Sequence, residues 1–273
     1  MILPRALGPL HLDTIDVPAP SRAPVLCLHG LFAGSWVYEP LLPLLARRGY
    51  PAAALSFRGH PPSAPIAGLG RVSVGDYAED AAEAARTLGR PIVIGHSLGG
   101  LVAQLLAARD LVRAVVLVDS APPRGISVLS RPLLARMTRY LPSLLMSRSF
   151  LPTANDLDAI VLNRVPEPER AAMRARLVAD SGRAARQAAL GVYRVPKRSV
   201  RVPLLVVSGD ADRFVPLGVA QKIARRYKAP MLVARGHGHF LLSEPGWENQ
   251  VRVVLDWLDA LPETREPAES AAD

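Results

Sequence analysis

The stretch VIGHSLGGLVAQ, residues 93–104, decides how the rest of the chain is read. Ile92, Val93 and Ile94 form a β-branched run of the kind that fills a strand. Leu101, Val102, Leu105 and Leu106 then recur at helical spacing. Between the two sits one serine, Ser97, flanked by Gly95, Gly99 and Gly100. So sharp a join strains the backbone, and glycines two residues to either side leave room for it. A serine there is lifted clear of the strand ends. The helix that starts at once aims its unpaired N–H groups at any negative charge developing in front of it.

Outward from this corner, short apolar runs alternate with amphipathic stretches. VLCLHG (25–30), AAALSF (52–57), PIVIG (91–95), RAVVLVDSAP (113–122), VPLLVVSGDAD (202–212) and PMLVARGHGH (230–239) read as strands, several buried on both faces. VYEPLLPLLARRG (37–49), DYAEDAAEAARTLG (76–89), PLGVAQKIARRYK (216–228) and WENQVRVVLDWLDAL (247–261) read as helices. Strands alternating with helices predict an α/β fold with a mostly parallel central sheet and helices on both faces. Residues 122–202 interrupt that rhythm. They hold helical stretches such as RPLLARMTRYL (131–141) and PERAAMRARLVAD (168–180) and no convincing strand. The expectation is a core of residues 1–121 and 203–261, a helical cap of residues 122–202, and a disordered polar tail over 262–273.

The 273 residues carry 33 Lys and Arg against 24 Asp and Glu, a formal net charge of +9. That charge is local. Residues 122–202 hold 15 basic and 5 acidic groups, and the remainder holds 18 and 19. Aromatic residues are sparse and no nucleic-acid-binding motif is found, so nucleic acid is not an expected partner. The default reading of the basic insert is a solvated surface; steering of anionic substrates or peripheral membrane contact is the alternative. No apolar run reaches the length of a membrane span, and the N-terminal segment, broken by Pro4 and Pro9, is not read as a signal peptide. The single cysteine, Cys27, reads as a small buried hydrophobe and suits a reducing, cytoplasmic setting. Metal-ligand clusters, a P-loop and a dinucleotide-binding glycine pattern are not found, so no cofactor and no metal are expected.

Five segments together resemble the α/β-hydrolase family, in its serine esterase- and lipase-like branch with a helical cap: His29-Gly30, Arg58-Gly59-His60, the G-x-S-x-G of Gly95–Gly99, GDADRFVP (209–216) and GHGHF (236–240). The resemblance implies a catalytic triad in chain order serine, acid, histidine. It makes Ser97 the nucleophile, Asp212 the acid and His239 the base, with Asp210, Asp119 and His237 as the competing candidates. It also implies an oxyanion hole from two backbone N–H groups, that of Leu98 and that of Leu31, or alternatively Phe32. His29 is expected to brace its loop, His96 to pack behind the serine, Arg58 and His60 to serve loop structure, and His11 to lie at the surface. Where family members often continue R-G-x-G-x-S, this chain has RGHPPSAP, a stiffer loop.

The implied chemistry is hydrolysis of short-to-medium acyl or aryl esters through an acyl-enzyme, on a small-molecule substrate. The apolar residues expected to shape the pocket are Met137, Leu141, Leu144, Leu145 and Met146 of the cap, with Phe32, Trp36, Phe214 and Phe240; some are equally readable as core of the cap. The same triad would also serve a thioesterase, acyltransferase, C–C hydrolase, lyase or perhydrolase, and a non-catalytic ligand-binding protein is a more remote reading. Oligomeric state is not legible.

Overall fold

A computed structural model describes residues 1–20 and 22–261. The expected tail over 262–273 lies outside the described residues. The strands are β1 (Leu3–Leu7), β2 (Leu10–Ile15), β3 (Val25–Leu28), β4 (Ala52–Ser56), β5 (Ile92–His96), β6 (Ala114–Val118), β7 (Ser149–Phe150), β8 (Asp180–Ser181), β9 (Leu204–Gly209) and β10 (Met231–Ala234). Eight of them form one sheet in the order β1-β2-β4-β3-β5-β6-β9-β10. The pairs β1/β2 and β2/β4 are antiparallel, and every other neighbour in that sheet is parallel.

The central strands β3, β5 and β6 are buried along their whole length, which is why they are apolar without alternation. The hairpin β1–β2 was not legible from the N-terminal sequence. Its outer strand is an exposed sheet edge, where Pro4 is tolerated because no further strand needs its N–H. His11, expected at the surface, is instead largely covered. Its Nε2 lies 2.9 Å from Asp13 Oδ1.

The helices are α1 (Leu42–Arg47), α2 (Val74–Thr87), α3 (Leu98–Ala108), α4 (Arg131–Met137), α5 (Leu141–Leu145), α6 (Ala154–Ile160), α7 (Glu167–Arg176), α8 (Gly182–Ala189), α9 (Leu217–Tyr227) and α10 (Trp247–Asp259). The expected helix over 37–49 is split into a short 3-10 turn, Ser35–Tyr38, and α1. Helix α2 starts two residues before the expected point. Ser73 caps it, accepting from the Asp76 N–H at 3.1 Å, while the Asp76 carboxylate accepts from the Ser73 N–H at 2.7 Å.

The segment between β6 and β9 contains α4 to α8. It also contains a two-stranded antiparallel ladder, β7 with β8, in register Ser149↔Ser181 and Phe150↔Asp180. That corrects the expectation of a strandless insert. Strands of two residues leave no periodic signal. The expected helix over 168–180 ends at Arg176, and Leu177 is already extended (φ −75°, ψ 142°). The cause is tertiary: residues beyond α7 bond to the core instead of to their own helix. Among the described residues, no helix is long and apolar enough to cross a membrane.

Candidate active site

Ser97 caps α3 directly after β5, with φ 51° and ψ −117°. That is the left-handed side of the map, which costs a non-glycine residue of order 1–3 kcal/mol. The tight corner explains its glycines. A Cβ on Gly95 would lie 2.4 Å from the Gly99 carbonyl oxygen, and one on Gly99 would lie 2.2 Å from that of Leu28. Ser97 is held by its backbone. Its N–H donates to the Val118 carbonyl at 3.0 Å, and its carbonyl accepts from Gly100 and Ala121.

Two loops at the ends of β9 and β10 meet it. His239 Nε2 lies 3.1 Å from Ser97 Oγ, and His239 Nδ1 lies 2.8 Å from Asp212 Oδ2. The other oxygen of Asp212 accepts the N–H groups of Phe214 and Val215 at 2.7 and 2.9 Å. All three side chains are buried. The Phe214 ring packs edge-on against His239, with centroids 5.0 Å apart.

The competing candidates lie elsewhere. Asp210 is exposed and accepts the Gly236 N–H at 2.7 Å. His237 Nδ1 lies 3.3 Å from the buried Glu244, whose carboxylate also accepts the Gly238 N–H. Asp119 is fully buried at the end of β6, where it accepts the Gly209 N–H at 2.9 Å. Burial, and then the negative charge of Asp212, push its carboxyl well above the usual carboxylate range.

Four further residues singled out in the sequence brace this end of the sheet. The Phe57 N–H donates to His29 Nε2 at 3.1 Å, so the ring proton sits on Nδ1, which donates to the Gly30 carbonyl at 2.7 Å. Burial, and then the nearby His60, lower the His29 pKa to about 3. His96 Nε2 donates to the backbone carbonyl of His239 at 2.8 Å, tying the corner at Ser97 to the histidine loop. Burial, and then His239, lower its pKa to about 3 as well. Arg58 forks onto Asp80, its Nε donating at 2.9 Å. His60 is completely buried and its Nε2 lies 3.0 Å from Oδ2 of Asp180, in the insert. Asp180 carried no sequence signal: it lay at the end of an expected helix, and its partners are distant in sequence.

Leu98 opens α3, and the first N–H groups of a helix lie too early in it to meet an intrahelical carbonyl. The Leu31 N–H belongs to the peptide whose carbonyl His29 holds. In a trans peptide the N–H points opposite to the C=O, so the grip of His29 sets the direction of this donor. The Phe32 N–H, the alternative donor, is engaged elsewhere, donating to Asp180 Oδ2 at 2.9 Å.

Above Ser97 lies a cavity of about 430 Å³, walled on one side by Leu31, Phe32, Leu98 and Phe214 and on the other by the insert. Of the expected pocket residues, Phe32, Met137, Leu141, Leu144, Leu145 and Phe214 line it. Phe240 instead lines a small void beside His239. Trp36 lines neither; its ring packs under the guanidinium of Arg176, 4.5 Å away. Met146 is exposed and lines neither. Val128, Leu133, Leu157, Ile160 and Leu190 also line the cavity, and their roles were not read from the sequence. Among the described residues, no cluster of His, Cys, Asp or Glu could hold a metal ion.

This architecture and corner are those of a known class. Residues 25–251 match the alpha/beta hydrolase family, and the chain belongs to it. The chain is similar to a probable esterase, PIR7A, of Oryza sativa, 31% identical over 154 residues, a match that spans 54% of each chain. The fold is similar to that of a monoacylglycerol lipase from Paleococcus ferrophilus (TM-score 0.71, 22% identity, covering 91% of this chain and 98% of that one). It is also similar to E-2-(acetamidomethylene)succinate hydrolase (TM-score 0.72, 25% identity, covering 95% and 100%).

Proposed function

We propose that this chain is a serine hydrolase that cleaves carboxylic esters through an acyl-enzyme, with Ser97 as nucleophile, His239 as base and Asp212 as its orienting acid. The observation that carries this reading is the continuous hydrogen-bond chain from Asp212 through His239 to Ser97 at the floor of an apolar cavity. The Asp212 carboxylate accepts a hydrogen bond from His239 Nδ1–H, which leaves the Nε2 lone pair facing the Ser97 hydroxyl. Ser97 Oγ attacks the ester carbonyl as its proton passes to Nε2. The tetrahedral oxyanion is received by the N–H groups of Leu31 and Leu98. The alkoxide leaves with the proton from His239, and water, deprotonated by the same ring, releases the acid.

Residues 122–202 act as a cap that selects the substrate. A wall of leucine, phenylalanine and methionine favours apolar acyl or aryl groups, with little polar surface for a charged one. The test is a panel of nitrophenyl esters of increasing chain length, run beside thioester and lactone substrates. Ser97→Ala should stay folded and lose ester hydrolysis by about 10³-fold or more. A fluorophosphonate probe should label Ser97 in the wild type. Equal labelling of Ser97→Ala would sink the assignment.

A further inference from the structure

Beyond α7 the chain runs extended past Phe32. The Val178 N–H donates to the Phe32 carbonyl at 2.8 Å, and the Phe32 N–H donates to Asp180 Oδ2 at 2.9 Å. Both backbone groups of Phe32 are therefore held by the insert. Phe32 needs such holding: its φ is +68°, in the left-handed region that a large side chain avoids.

Asp180 is itself fixed. It is 1% exposed, and its Oδ1 accepts the Tyr77 hydroxyl and the Ser181 N–H, each at 2.6 Å. His60 Nε2 stands 3.0 Å from Oδ2, within ion-pair range of a protonated ring, while His60 Nδ1 lies 3.2 Å from the Arg58 carbonyl. Burial opposes that charge, but Asp180 outweighs it and raises the His60 pKa above its usual value. Burial would likewise raise Asp180; the His60 charge and the converging donors hold it at about 2 instead. The carboxylate is thus charged throughout the range in which an ester hydrolase operates. A buried ion pair is a poor stabiliser compared with apolar side chains of the same volume, so its role is better sought in what it positions.

The residue between the two grips is Leu31. His29 pins the Gly30–Leu31 peptide through its carbonyl, and Asp180 pins the Leu31–Phe32 peptide through its N–H. We infer that Asp180 is a positioning residue for the oxyanion hole: with the Val178 N–H it locks Phe32 in its left-handed conformation and so fixes the direction of the Leu31 N–H toward the substrate carbonyl. The inference rests on the ester-hydrolase reading of Ser97. It makes the insert a component of the catalytic apparatus as well as a cover, because the core alone holds the loop from one side only.

The experiment compares the full-length wild type with three variants: Asp180→Asn, which keeps the volume and removes the charge; Val178→Pro, which removes the other bond to Phe32 and follows a residue already extended; and Tyr193→Phe. The last removes a 2.7 Å bond to the Gly75 N–H, another contact between insert and core that does not touch the loop. The readouts are kcat and KM on nitrophenyl acetate, the melting temperature, and the inhibition constant of an alkylboronic acid. The boron accepts the electron pair of Ser97 Oγ, the proton passes to His239, and the tetrahedral anion places a hydroxyl in the oxyanion hole. Asp180→Asn and Val178→Pro should each lower kcat by about 30-fold or more, with KM little changed and boronate affinity falling by the same factor. Tyr193→Phe should lower the melting temperature and keep kcat within about threefold of wild type. A folded Asp180→Asn with full boronate affinity, or a kcat loss no greater than that of Tyr193→Phe, would overturn the inference. If Asp180→Asn does not fold, Val178→Pro decides: full kcat and boronate affinity overturn it. A wild type that neither hydrolyses nitrophenyl esters nor reacts with a fluorophosphonate overturns the ester-hydrolase reading and this inference with it.

Discussion

Replacing Asp212 by Asn tests the proposed triad through the direction of a single proton. Asp212 uses both oxygens: Oδ2 faces His239 Nδ1, and Oδ1 accepts two backbone N–H groups, from Phe214 and Val215. An amide in this place must put its one oxygen on one side. Turned toward the two N–H groups, it presents NH₂ to His239. Nδ1 then becomes an acceptor, the ring proton moves to Nε2, and Nε2 can no longer take a proton from Ser97. Turned the other way, the NH₂ group faces two donors, and those buried N–H groups lose their partner at about 1–3 kcal/mol each. The first arrangement is therefore favoured by several kcal/mol. A histidine in the wrong tautomer lowers kcat by about 10⁴, or about 5 kcal/mol of transition-state stabilisation. Asp210→Asn is the comparison. Asp210 is exposed and needs only an acceptor for the Gly236 N–H, which the amide supplies. Its effect should stay within about twofold. The assay is kcat on nitrophenyl acetate, with thermal melting to confirm folding. A loss of less than about tenfold for Asp212→Asn, or an equal loss for Asp210→Asn, would refute the reasoning.

Leu141→Ala combined with Leu144→Ala widens the wall of the cavity away from Ser97, so it should change preference among longer acyl chains by about tenfold and leave acetate esters nearly unaffected. Equal losses on acetate and octanoate would show that these leucines do not contact the chain. The His96 pKa is lowered on folding, so the unfolded chain binds this proton first; the contribution to stability is complete above about pH 6.5 and is lost as pH falls toward about 3. His96→Asn should therefore flatten the pH dependence of unfolding free energy between about pH 6 and about pH 4 by about 1.4 kcal/mol per pH unit, measured by urea denaturation.

The parts of the fold legible in the sequence are those whose cause is local. Strands β3, β5 and β6 are apolar throughout because both faces are covered, and the corner at Ser97 needs Gly95 and Gly99 because carbonyl oxygens stand where their Cβ atoms would be. Asp212 and His239 were placed by the resemblance of their loops, and the structure brings both to Ser97. What failed had a distant cause. Trp36 looked like a pocket aromatic, but the 3-10 turn on which it sits carries it to Arg176. Residues 177–180 continue a helical pattern and are extended because Phe32, about 150 positions earlier, takes up their hydrogen bonds. Asp180 meets Tyr77 and Phe32 across separations of 103 and 148 residues, which no periodicity can express.

The arginine excess of the insert has a similar explanation, one that composition could not give. Its helices are short, and α5 has no buried residue of its own. Helices this short are marginal by propensity alone. They are stapled by arginine. Arg136 and Arg139 converge on the buried carboxylate of Asp156, which also accepts the Tyr140 hydroxyl at 2.6 Å. Arg174 pairs with Asp158, Arg176 with Glu39 of the core, and Arg186 donates to the carbonyls of Leu144 and Leu145 at the end of α5. Tyr140, Asp156, Leu144, Leu145 and Arg186 all border the cavity above Ser97. Part of the positive charge is therefore spent on the cavity wall, closing helix ends that a five-residue segment leaves open. A charge excess that reads in sequence as a solvated surface is, at these positions, the means by which an apolar wall is built from pieces too short to stand alone.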